Sequence, residues 1–166
     1  MSWLTVAVLA YFFLAVVFLA DKYILTGRIP EPKMYAFYVG FFGGAVALLI
    51  PFVDFRIIEG AHVALAFSSG AFFFLALLFF YRSIKDFELS RIVPAVGALI
   101  PLFSLFLAFV ISGGEETLRN SEIPAFLFLV AGGFMINYSR EKRMMPASVG
   151  YAALTSLFFA SHFILA

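Results

Sequence analysis

Apolar residues run in long blocks along this chain, and charged residues gather in short clusters between them. The blocks are Trp3–Leu25 (interrupted late by Asp21 and Lys22), Met34–Val53, Ala61–Tyr81, Leu89–Ile111, Ile123–Tyr138 and a last one from Ala147 to the final residue. A helix needs about 20 mostly apolar residues to cross a bilayer. The pattern therefore predicts an all-α integral membrane protein with about six transmembrane helices. Transmembrane β-strands would alternate apolar and polar residues, and these runs are continuous. The polar connections, Thr26–Lys33, Asp54–Gly60, Arg82–Glu88, Ser112–Glu122 and Ser139–Pro146, are too short to hold a soluble domain.

Composition agrees with the pattern. Of 166 residues, 64% are hydrophobic and 13% charged, with a mean hydropathy of +1.05. Soluble domains average about 45–50% apolar and about 25% charged. A net charge of +1 provides no basic surface for nucleic acid. The absence of cysteine excludes disulfides, thiolate catalysis and cysteine metal sites. The first block has no basic residues before it and further spans after it, so it reads as a span and not a signal peptide.

Lysine and arginine are unevenly shared between the two sides. Connections after the odd-numbered spans hold Lys22, Arg28, Lys33, Arg82, Lys85, Arg91, Arg140, Lys142 and Arg143, against only Arg56 and Arg119 after spans 2 and 4. The positive-inside rule places the nine-residue set in the cytoplasm and the N-terminus outside.

Spans 1 and 6 resemble each other. Aligning Tyr11–Leu25 with Tyr151–Leu165 without gaps gives identities at Tyr11/Tyr151, Leu14/Leu154, Phe18/Phe158, Ala20/Ala160, Ile24/Ile164 and Leu25/Leu165, and sets Lys22 against His162. Two unrelated apolar helices are one reading. The other is a repeat of five spans, whose odd number inverts the second copy in the membrane; inverted repeats are a hallmark of secondary transporters. The chain stops in apolar sequence, so it is expected to be a piece of a longer one.

Span 4 carries two prolines. Ser90, Pro94, Gly97, Pro101, Ser104 and Ala108 follow each other by three or four residues and share one helix face. The opposite face, with Ile92, Leu99, Leu102, Phe103, Phe106 and Phe109, is expected to meet lipid or neighbouring helices. Proline within a membrane helix is tolerated where another helix, a hydroxyl or water serves the freed carbonyl. The stripe is either a close helix–helix seam or the wall of a cavity. Gly40 and Gly44 form a further small-residue pair, and Ser68, Ser69 and Gly70 lie within span 3. Asp21 and Lys22 are the ionisable groups nearest the membrane interior; such groups mark function or reach back to the interface. No deeply buried carboxylate is evident, and no proton-coupling site.

The segment Ala76–Ile136 resembles the signature region of the EamA family, in the drug/metabolite transporter superfamily. Tyr81 ends an apolar span, with Ile84 where the family usually has a small residue. A short polar turn follows, then a helix with Pro94 and Pro101, a turn with Glu115 and Glu116, and a helix with Gly132 and Gly133. The resemblance implies a five-helix repeat over residues 1–138, a basic linker loop at 139–146, and the first helix of a second, truncated repeat at 147–166. It also implies a ten-helix transporter fold of two inverted halves, and a cytoplasmic N-terminus, at odds with the charge count.

The function so implied is secondary transport of small molecules, metabolites such as amino acids or organic compounds, by alternating access across a bacterial or archaeal cytoplasmic membrane. The expected cavity is lined by Asp21, Lys22, Ser69, Pro94, Gly97, Pro101 and Ser104, the first three as polar contacts and the others as flexing points or sources of exposed backbone carbonyls. Expected partners are a small-molecule substrate, membrane lipid and the missing second half or a second copy in a homodimer, with no cofactor and no nucleic acid. The alternative is a membrane scaffold or subunit that transports nothing. Without HExxH, cysteine or a His/Asp cluster, an intramembrane enzyme is not expected.

Overall fold

The computed structural model describes residues 3–29, 31–52, 60–114, 123–137 and 146–166. All secondary structure among them is helical: α1 (Trp3–Gly27), α2 (Pro32–Gly44) continued by a 3-10 segment (Ala45–Phe52), α3 (Gly60–Asp86), α4 (Leu89–Ile111), α5 (Ile123–Asn137) and α6 (Pro146–Leu165). Four helices, α1, α3, α4 and α6, are long and apolar enough to cross a membrane. The chain is thus an all-α membrane protein. Tyr138, Glu115, Glu116 and most of the linker at 139–146 lie outside the described residues.

Span 2 differs from its expected single helix up to Val53. The α-helix ends at Gly44 and tightens into a 3-10 turn. Gly43 and Gly44 sit at the junction, where glycine weakens the α-helix by about 0.5–1 kcal/mol each relative to alanine. Pro51 then removes a further backbone donor.

The core lies toward one end of the bundle, where α1, α3 and α5 finish and α2, α4 and α6 begin. Leu25, Tyr35, Ala36, Leu77, Phe80, Tyr81, Ile84, Ile92, Ala95, Val96 and Ala152 form one buried cluster there. The chain's connections explain the location: two of the helix pairs that meet here, α1–α2 and α3–α4, are joined at this end by short turns.

α3 and α6 form the most extensive packing, in antiparallel register. Ser69 meets His162, Phe73 meets Phe159 and Phe79 meets Tyr151. Phe158 stacks on both Phe72 and Phe79, with centroids 6.1 and 5.5 Å apart. Phe72 and Phe79 are spaced by seven, as are Tyr151 and Phe158, the repeat that keeps a seam facing its partner over several turns. α6 also lies along α4, and α5 packs on the other side of α4. Only the C-terminal part of α1, from about Phe18 onward, joins the core. Its first half leaves Trp3, Tyr11, Phe12 and Phe13 exposed.

Candidate functional site

Ionisable and hydroxyl side chains come together in two places. The first is the junction of α1, α2 and α3. Asp21 is only 7% exposed, and the Tyr35 hydroxyl donates to its Oδ1 at 2.5 Å. Tyr35 in turn meets the edge of Tyr81, centroids 4.7 Å apart. The expectation of no deeply buried carboxylate is corrected here. Asp21 lies near the end of an apolar helix, but its face turns toward the α2–α3 pair and away from the surface. The Tyr35 hydroxyl lets it stay there, because a buried carboxylate needs a donor.

Lys22, one residue on, points elsewhere. Its Nζ donates to the carbonyls of Ile84, of Lys85 at 3.0 Å and of Phe87 at 2.9 Å. The last four carbonyls of a helix have no intrahelical partner. Within α3, the Ser83 carbonyl accepts from the Phe87 N–H, and Lys22 serves the two that follow. A cation at this position also opposes the negative end of the helix dipole. Lys22 is thus the C-terminal cap of α3, delivered by a different helix.

The second place is the α3–α6 seam. Ser69 is 4% exposed, and its Oγ lies 2.8 Å from Nδ1 of His162. Ser69 Oγ also donates to the His162 carbonyl at 3.2 Å, and Nδ1 lies 3.2 Å from the Ser69 carbonyl. A proton on Nδ1 satisfies all three contacts, an assignment that follows from the network. Nearer the other end of α6, Ser156 Oγ donates to its own helix at Ala152 (2.7 Å) and across to the Val96 carbonyl (3.2 Å). That crossing bond falls one residue before Gly97, whose carbonyl Pro101 leaves without its usual donor. A hydroxyl from a neighbouring helix thus bonds α4 beside the freed carbonyl and not at it. Thr155 is fully buried, and its Oγ1 has no hydrogen-bond partner among the described residues.

The two faces of α4 do not separate cleanly: Phe106 and Phe109 are exposed, while their face-mates Ile92 and Leu99 pack inward. Ile92, Ala95, Val96 and Ala98 are buried, and Leu99 packs against the core. Ser90 and Gly97 are exposed, and a Cβ on Gly97 would touch nothing within 4 Å. Pro94, Pro101 and Ser104 are half-buried. The close contact on α4 comes from another glycine. A Cβ on Gly133 would collide with the Ala98 side chain and lie 3.7 Å from the Pro94 carbonyl. The close approach of α4 and α5 is thus made between small residues, Gly133 on Ala98.

The seven expected cavity residues are therefore spread over separate settings. Asp21 and Lys22 share the α1–α2–α3 junction, Ser69 belongs to the α3–α6 seam, and Pro94, Gly97, Pro101 and Ser104 follow α4. Ser69 and Tyr81 are twelve residues apart on one helix, about 18 Å at about 1.5 Å per residue. Tyr35 and His162 were not among the expected site residues. No spacing rule ties Tyr35 to Asp21 across a turn, while the alignment of Lys22 with His162 was a signal for the latter. Among the described residues, no group of three or more His, Asp or Glu gathers as a metal site would require. No protein-family model, curated protein or solved structure matches this chain.

Proposed function

We propose that the protein is a secondary transporter of small molecules, metabolites such as amino acids or organic compounds, working by alternating access in a cytoplasmic membrane. In this reading six spans form a five-helix repeat followed by the first helix of an inverted copy. A second five-helix unit, or a second copy of the chain, completes the cavity.

The observation that carries the reading is how α1 and α6 relate to α3. The aligned positions Lys22 and His162 both contact α3, but at opposite ends. Lys22 holds the carbonyls after Ser83, and His162 holds Ser69. The two helices thus run in opposite directions against a common partner, as the first helices of inverted copies do. Asp21 adds an ionisable group inside an apolar bundle, where such groups are costly and mark function by default.

The scaffold reading has its own support: Asp21, Lys22 and Ser69 are each engaged in bonds between helices. One experiment separates the two. The purified protein is reconstituted in liposomes and assayed with a panel of labelled amino acids and organic cations. Transport predicts accumulation above empty liposomes for at least one class, reduced at least tenfold by Pro94→Ala with Pro101→Ala in a variant of unchanged helicity. Uptake equal to empty liposomes across the panel supports the scaffold. Unchanged uptake in the double variant removes the prolines from the mechanism.

A further inference from the structure

A cleft of about 270 Å³ opens at the core end of the bundle, between the start of α2, the end of α3 and the start of α6. Three cationic side chains line it, Lys33, Arg82 and Lys85, against two carboxylates, Glu31 and Asp86. Its remaining wall is apolar or aromatic, with Leu78, Phe79 and Tyr151. The Arg82 guanidinium lies over the Tyr151 ring, 5.7 Å from the centroid. That contact holds it on one side. Its ion pair with Asp86 is at the limit, 4.0 Å, with both side chains about half exposed.

We propose that this cleft binds the phosphate group of an anionic phosphoester, presented by a membrane phospholipid or by a dissolved organic phosphate. Three observations converge. The cations exceed the carboxylates, and an arginine with a weak partner matches phosphate oxygens in two-pronged fashion. An apolar wall adjoins the cations, as an amphiphile requires. The cleft also lies at the ends of membrane-length helices α3 and α6, the depth of lipid headgroups, where basic pockets between helices recognise anionic ones. The inference is independent of transport.

The protein in mild detergent is titrated with phosphatidylglycerol or phosphatidylcholine and its bound lipids are counted by native mass spectrometry. The expected result is at least tenfold preference for phosphatidylglycerol, reduced to near parity by Arg82→Gln with Lys33→Gln. Arg28→Gln, outside the cleft, leaves the preference intact, and Arg82→Lys alone retains part of it. Glycerol 3-phosphate at millimolar concentration distinguishes the sources: displacement of the lipid marks a site open to soluble phosphoesters, and no displacement marks a lipid site. Equal binding of the two lipids by the unaltered protein overturns the proposal. So does a preference that survives in the double variant. Thermal melting of each variant shows that any loss is local.

Discussion

Lys22 offers the most direct test of how this bundle is held together. Replacing it with methionine keeps the stem and removes the ammonium, leaving the Ile84, Lys85 and Phe87 carbonyls without that donor. A hydrogen bond to a charged group contributes about 1.5–3 kcal/mol, but three bonds from one ammonium do not add in full. Water at the helix end can replace some of them. A cation near a helix C-terminus contributes a further 0.3–1 kcal/mol or so. Together these predict a loss of about 2–3 kcal/mol for Lys22→Met, and about half that for Lys22→Gln, which keeps two donors. The assay is reversible unfolding in dodecyl maltoside with increasing sodium dodecyl sulfate, followed by helical circular dichroism. Hydrogen exchange should quicken in the last turn of α3 while the Ser69 region stays protected. A Lys22→Met protein within about 0.5 kcal/mol of the original, the range of ordinary surface substitutions, would refute the capping argument. If such a stable variant also lost transport, Lys22 would belong to a substrate path instead.

Further outcomes follow from the same packing. Tyr35→Phe removes the hydroxyl that donates to Asp21 and should cost about 1–3 kcal/mol; adding Asp21→Leu should recover part of the loss, as a double-mutant cycle in the same unfolding assay reads directly. Thr155→Val removes a buried hydroxyl that lacks a partner among the described residues, and the unfolding midpoint should rise by the equivalent of up to about 1 kcal/mol. Gly133→Leu should detach α5 from α4 and lower stability by more than about 2 kcal/mol, since even a Cβ there meets Ala98. Gly97→Ala, beside Ala98 in sequence but facing open space, should be neutral or stabilising by about 0.5–1 kcal/mol; thermal melting distinguishes the two glycines.

The two ends of α4 show what hydropathy reads well. Glu88 precedes it and Ser112 follows it, and the helix runs Leu89–Ile111 as the polar punctuation implied. The end of α2 shows the converse. Residues 45–53 are uniformly apolar, so nothing in their hydropathy records the change from α to 3-10 geometry, which concerns backbone bonding and not transfer to lipid. Helical spacing grouped Ser90, Pro94, Gly97 and Pro101 on one face correctly. What that face would meet depended on residues from α5 and α6, whose fit to α4 leaves no mark on α4 itself. Asp21 was legible as an unusual charge in an apolar run. Its partner was not, because Tyr35 reaches it only after the chain has turned.

The pairing of α3 with α6 also fixes an order of events during synthesis. The surface of α3 that carries Ser69, Phe72 and Phe79 enters the bilayer long before its counterpart exists, because His162 and Phe158 lie some 80–90 residues downstream. At about 5–20 residues per second, the ribosome needs roughly 4–18 s to deliver them. In that interval the seam must be covered by lipid, by a chaperone or by α1, the one apolar helix already present whose sequence resembles that of α6. An early embrace of α3 by α1, exchanged for α6 when the last helix emerges, would make the resemblance between the two helices useful to the nascent chain, and ribosome-stalled chains cut before residue 146 would reveal it as protection of Ser69 that later changes hands.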